Sequence, residues 1–259
     1  MSISIKAHAK VNIFLKITGY ENGYHTLLSR FMRVDELYDT ISLVPGSFEE
    51  FTLEGCDDVP LESNTVYKAY QALLEPFPKL EAFFKTHKVV IEKRIPSQAG
   101  LGGGSSDAGA FMRLINTLAE NPISPDALAK LGSTIGADVP FFIYNYPSAN
   151  VRGFGEIVEP FREKPLKLEL FTPENIGCDT AEVYKTYNKY LLRTLDPASF
   201  VGWEHMDSAT LLKLINDAII LNDLYPAALA AYPELEKLDM KGWFFSGSGS
   251  TFFKVVGSR

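Results

Sequence analysis

PSQAGLGGGSSDAG, residues 96–109, stands between a strand-like run, KVVIEKRI (88–95), and a helix-like run, DAGAFMRLINTLAE (107–120). Gly100, Gly102, Gly103 and Gly104 allow close backbone approach, and the positive end of the helix that follows points back into the arc they form. An arc of free N–H groups at a helix start is a cradle for an anion, most often a phosphate. The motif is not G-x-x-x-x-G-K-[ST], because no lysine follows the glycines. Nor is it G-x-G-x-x-G, because Ser105 stands where the last glycine is required. Two common nucleotide folds are thereby disfavoured. The reading is a loop running into a helix that begins near Ser105, with Ser105, Ser106 and Asp107 as its first turn.

Composition limits what such a loop can serve. With 259 residues, 46% of them hydrophobic, the chain can bury a sizeable core in one large domain or two. The net charge of −7, spread in mixed-sign clusters, lacks the basic footprint of a nucleic-acid binder. A small phosphorylated ligand held by backbone amides needs few formal charges. Cys56 and Cys178 lie far apart without a CxxC, so the pattern indicates neither zinc nor a disulfide framework. They read as free thiols in a reducing compartment. The N-terminal alternation fits a strand better than a signal peptide, and no run is long enough to cross a bilayer, which points to the cytoplasm and away from membranes. No heptad seam or long exposed apolar stripe defines an oligomer, so a monomer or weak dimer stays open.

Periodicity indicates an α+β fold. Alternation in SISIKAHAKVNIFLKI, FMRVDELYDTISLV and FEEFTLEG predicts an N-terminal antiparallel sheet. NTVYKAYQALL reads as a helix with Asn64 as N-cap, and SPDALAKLGSTIG as a helix opened by Ser124. The second half mixes strands (ANVRG, KLELFT, WFFSG, TFFKVVG) with helices (TAEVYKTYNKYLL, SATLLKLINDAII, LYPAALAAY). EPFREKP breaks both periodicities, which sets a domain boundary at 160/161 and divides the chain into 1–160 and 161–259.

PSQAGLGGGSSDA resembles the phosphate-binding motif of the GHMP kinases, the superfamily that includes galactokinase, homoserine kinase and mevalonate kinase. AKVNIFLKI, GYHTLLS, IGADVPFFI and SGSGSTFF follow the same family order, so the resemblance runs from Ala9 to Phe253. It implies the two-domain GHMP kinase fold, with an N-terminal domain like ribosomal protein S5 domain 2 and a C-terminal ferredoxin-like α/β sandwich. ATP would lie along Pro96, Ala99, Gly100, Leu101, Gly102, Gly103, Gly104, Ser105 and Ser106, with Asn64 near the adenine. Mg²⁺ would be carried by the nucleotide without a dedicated protein site.

Phosphoryl transfer to an alcohol needs positioning, charge stabilisation and a base. Asp138, in GADVPFF, reads from its context as either a turn aspartate or a partly desolvated base, and Lys10 by itself reads as a solvated strand lysine. The resemblance implies that Asp138 is the base, that Lys10 is its catalytic partner, and that Asn12 contacts the acceptor. It further implies an acceptor bearing a cytidine diphosphate group, phosphorylated on the 2-hydroxyl of its methylerythritol unit in isoprenoid precursor synthesis. Tyr24 would stack on the cytosine and His25 pair with its edge, Tyr184 would supply the second stacking face, and Gly247, Ser248 and Gly249 would line the cleft. Another GHMP kinase of homoserine or mevalonate type, or a non-catalytic nucleotide-binding regulator, remains an alternative.

Overall fold

The computed structural model describes residues 2–21, 23–190 and 196–257, and it resolves into two compact units. The first comprises the residues through Ala9, Asp35–Ile95 and Gly102–Asn145. The second comprises Lys10–Val34, Pro96–Leu101 and the chain from Tyr146 onward. Two long strands, β1 (Ile3–Glu21) and β2 (Tyr24–Pro45), pair with each other and run through both units.

In the first unit, Thr40–Pro45 of β2 pairs antiparallel with β4 (His87–Glu92), and β4 pairs parallel with β3 (Leu53–Glu54). FEEFTLEG thus contributes two strand residues and not a full strand. Its alternating side chains instead send Phe51 into the core, stacked on Tyr70 at 4.2 Å. The helices here are α1 (Thr65–Leu73), α2 (Leu80–Phe84), α3 (Gly103–Leu118), α4 (Pro125–Ser133) and α5 (Val139–Tyr144). The two expected caps are in place: Asn64 accepts from Val66 N–H at 2.8 Å, and Ser124 from Ala127 N–H at 3.2 Å. The core gathers Val66, Leu73, Phe84, Val89, Phe111 and Val139, each fully buried.

In the second unit, Leu27–Met32 of β2 pairs antiparallel with β5 (Ser148–Gly153), which pairs with β6 (Ile157–Pro160). A separate sheet has the order β7-β9-β8, from Leu168–Phe171, Phe252–Val255 and Phe244–Phe245. α6 (Thr180–Tyr190) is the helix expected from TAEVYKTYNKYLL, whose last two residues, Leu191 and Leu192, lie outside the described residues. SATLLKLINDAII forms two helices, α7 (Ser208–Ile215) and α8 (Ala218–Leu221), because Asn216 turns left-handed (φ 46°) and Asp217 caps the second through Ile219 N–H at 2.8 Å. α9 (Tyr225–Ala231) is the last α-helix among the described residues, followed by a 3-10 turn at Pro233–Lys237. A buried Arg30 organises this unit. Its Nε donates to Asn150 Oδ1 at 2.7 Å and its Nη2 to the Glu204 carbonyl at 2.9 Å, and its guanidinium lies 3.4 Å from the centre of the Phe161 ring.

The close packing of α3 on α5 depends on Gly109, where an added Cβ would lie 2.7 Å from Phe142 Cβ. Gly109→Ala is therefore expected to lower stability by about 1–3 kcal/mol through overpacking. Urea unfolding checks this, and an unchanged midpoint would contradict the packing account.

Candidate functional site

Within the first unit, the glycine stretch enters α3 at a left-handed Gly102 (φ 72°), and no side chain caps the helix. The helix starts at Gly103, earlier than its polar residues suggest, so its first turn is Gly103, Gly104 and Ser105. Ser106 is already inside: its N–H donates to the Gly102 carbonyl at 2.8 Å and its hydroxyl to the His8 carbonyl at 2.7 Å. The N–H groups of the first turn have no partner within the helix, which leaves positive potential at its start. Thr65, next to the cap residue Asn64, donates its hydroxyl to the Gly104 carbonyl at 2.7 Å and so fixes the start of α1 against the loop.

Asp138 belongs to the same unit. It precedes α5 in right-handed helical conformation (φ −81°, ψ −13°), is half-buried, and makes no capping bond with its side chain. The turn that carries it lies against the start of α3: a Cβ on Gly136 would be 3.6 Å from Ser105 Oγ. A carboxylate and an anion cradle thus share one compact unit.

The second unit holds the other half of the glycine loop together with the N-terminal and C-terminal motifs. Lys10, 3% exposed, donates its ammonium to Asn12 Oδ1 at 2.6 Å and to the Gly100 carbonyl at 3.0 Å, while its N–H bonds the Leu101 carbonyl at 3.0 Å. This lysine is buried among acceptors, not solvated. Asn12 in turn donates to Ser29 Oγ at 2.9 Å. The Gly100 carbonyl also accepts from Ser246 Oγ at 2.9 Å, and Ala99 accepts from Thr251 N–H at 3.2 Å. Only glycine fits at position 100, because φ is 70° and a Cβ would lie 2.1 Å from the Ser246 carbonyl oxygen. Asn222 steadies SGSGS by donating to the Phe245 and Gly247 carbonyls at 3.0 and 2.9 Å. Lys10, Asn12, Gly100 and Gly247 are thereby brought together. Ser248 bonds Thr180 at the start of α6 at 2.9 Å, and Gly249 N–H bonds the Ser246 carbonyl at 2.9 Å. Pro96, at the start of the loop, is exposed.

The aromatic group expected around the acceptor also lies in the second unit. Tyr24 is 69% exposed, with Phe154 edge-on at 6.0 Å. Tyr184 stacks on His25 at 4.9 Å, while Tyr20 and Tyr187 pack on the same imidazole at 4.9 and 5.5 Å. His25 Nε2 donates to Asn188 Oδ1 at 2.7 Å, which leaves Nδ1 as the acceptor of the neutral ring. Burial lowers its pKa, with the Asn188 bond opposing, so the ring is neutral at neutral pH. Sequence reasoning missed Tyr20, Phe154, Tyr187, Asn188 and Ser246. For Tyr187 and Asn188 a signal existed, since they follow Tyr184 by one helical turn.

A family model described as the GHMP kinases N terminal domain matches residues 64–146. A Sulfurovum sp. protein named 4-diphosphocytidyl-2-C-methyl-D-erythritol kinase is 82% identical over 252 residues, which cover 97% of this chain and 98% of that protein. A Sulfurimonas denitrificans protein of the same name is 44% identical over 256 residues, covering 96% of each. The crystal structure of a 4-(cytidine 5'-diphospho)-2C-methyl-D-erythritol kinase superposes with a TM-score of 0.71 at 29% identity, covering 98% of this chain and 90% of that one. The Methanococcus jannaschii mevalonate kinase, at 16% identity and a TM-score of 0.69, shares the fold. The α+β architecture and the ordered motifs therefore have one common explanation: the chain belongs to the 4-diphosphocytidyl-2-C-methyl-D-erythritol kinase family, within the GHMP kinases.

Proposed function

We propose that this chain transfers the γ-phosphoryl group of ATP to the 2-hydroxyl of 4-diphosphocytidyl-2-C-methyl-D-erythritol, giving the 2-phosphate and ADP, in the non-mevalonate route to isoprenoid precursors. The observation that carries the reading is the shared unit of Asp138 and the uncapped start of α3, with Gly136 against Ser105. In this mechanism the N–H groups of Gly103, Gly104 and Ser105 hold the triphosphate, and the glycine loop from Pro96 to Ser106 follows the nucleotide. Asp138 accepts the hydroxyl proton as the new O–P bond forms and the bond to the β-phosphate oxygen breaks, releasing ADP. Lys10 stabilises the negative charge developing on the acceptor oxygen, and its burial among Asn12 and Gly100 makes that stabilisation pre-organised. The loop offers N–H donors, which suit phosphate oxygens and not a cation. Mg²⁺ would therefore be carried on the nucleotide, where it would supply neutralisation of phosphate charge.

Tyr24 supplies an open ring face for the cytosine, and the neutral His25 reads its edge. Tyr184 acts on the same base through His25, on which it stacks, and Gly247, Ser248 and Gly249 close around the acceptor. Asn64, its oxygen engaged in the α1 cap, lies on the adenine side. The protein works in the cytoplasm as a monomer or weak dimer.

Asp138→Asn is expected to lower kcat by about 10²–10⁴ with nucleotide affinity unchanged, because only proton transfer is lost. An ADP-release assay with the cytidyl alcohol checks it, and normal turnover would remove Asp138 from the role. Tyr24→Ala is expected to raise KM for the acceptor by about tenfold or more through lost stacking, with KM for ATP unmoved. Equal effects on both substrates would contradict the assignment of this ring to the cytosine.

A further inference from the structure

The segment KRI (93–95), leading from β4 into the glycine loop, is tied down by one side chain. Asp39 on β2 is fully buried and accepts from the Lys93 ammonium at 2.5 Å, from Ile95 N–H at 2.8 Å and from Arg94 N–H. Lys93 also donates to Asp107 Oδ2 on α3 at 2.7 Å. The second oxygen, Asp107 Oδ1, is buried with no hydrogen-bond partner. All of these residues lie in the first unit.

Two carboxylates thus flank one ammonium, an unbalanced buried charge that is costly to keep. A cluster serving only to lock the fold would enclose its cation as well. Here 29% of the Lys93 side chain is exposed, against 0% for Asp39 and 4% for Asp107. Its Nζ lies 3.6 Å from where a Cβ on Gly103 would stand, so the ammonium sits at the first residue of α3, where the helix already favours an anion.

We propose that Lys93 is a phosphate-binding cation of the nucleotide site, that Asp39 is the residue that positions it, and that Asp107 takes up a solvent proton when a polyphosphate arrives. The proposal rests on the nucleotide reading of the glycine loop. Burial, opposed by Lys93 and reinforced by Asp39, pushes the Asp107 carboxyl up to about 7, so it is partly ionised at neutral pH. Cys56, beside Asn64, also faces Asp107, and burial and Asp107 push its thiol up, so it stays un-ionised. When phosphate oxygens engage the ammonium, Asp107 shares its counter-charge with them and gains negative neighbours. Both changes favour its protonated form. As the pH rises through neutrality, ionised Asp107 competes with the phosphates for Lys93, and ATP affinity falls.

Titration calorimetry on the full chain tests this with a non-hydrolysable ATP analogue, ADP and AMP, each in buffers of different ionisation enthalpy. Lys93→Met is expected to weaken the ATP analogue and ADP by about tenfold or more, the effect of losing a charged hydrogen bond, while AMP is little changed and Lys93→Arg largely restores binding. Asp39→Asn should weaken the ATP analogue comparably and add little to Lys93→Met, because both act through one ammonium. The wild type should take up a fraction of a proton on binding the ATP analogue at neutral pH, and Asp107→Asn should abolish that uptake and flatten the pH dependence of affinity. Wild-type affinities in Lys93→Met, or equal losses for all three nucleotides, would overturn the phosphate contact. Unchanged proton uptake in Asp107→Asn would overturn the protonation step. A wild type that binds no nucleotide would instead overturn the reading of the loop itself, and this inference with it.

Discussion

A helix that starts without a side-chain cap is the constraint on which the rest depends. α3 begins at Gly103 behind a left-handed Gly102, and its first N–H groups are left to be satisfied from outside the helix. Several other features serve that start. Thr65 holds the Gly104 carbonyl, the turn at Gly136 lies against Ser105, and Ser106 turns its hydroxyl away to His8. The side chains that could have capped the helix are thus occupied elsewhere, or absent because the residue is glycine.

The second unit treats its part of the loop in the opposite way, by satisfying carbonyls. Gly100 accepts from Lys10 and Ser246, Leu101 from Lys10, and Ala99 from Thr251. Carbonyl groups engaged in the protein's own network leave the remaining face of the loop dominated by N–H donors, which is the polarity a phosphate requires. The same network fixes Lys10 and Asn12 on β1, so one set of bonds shapes the loop and holds the ammonium. Arg30 and Asn150, adjacent to Ser29 in the β2–β5 pairing region, extend that rigid framework into the segment from Glu204 to Ser208.

Much of this was legible in the sequence where the signal is local. Asn64 and Ser124 announce their helices because an N-cap acts over three residues, and the glycine loop is recognisable because few other compositions permit its backbone. The start of α3 was misplaced because Gly103 and Gly104 count as loop formers by propensity, although tertiary bonds hold them helical. SATLLKLINDAII looked continuous because its apolar spacing bridges the break at Asn216. Non-local groups left little trace. Lys93 lies 54 positions from Asp39, and Ser246 lies 146 from Gly100, so no spacing rule connects them. Of the partners of His25, Tyr187 and Asn188 lie far beyond it in sequence and are reachable only through Tyr184, one helical turn before them.

A crystal structure with a non-hydrolysable ATP analogue and the cytidyl alcohol measures the central claim most directly. The account predicts the analogue's phosphate oxygens at about 2.7–3.2 Å from the N–H groups of Gly103 to Ser105, with the acceptor hydroxyl within the same distance of the Asp138 carboxylate. Phosphates bound away from the start of α3, or an acceptor hydroxyl out of reach of Asp138, would contradict it.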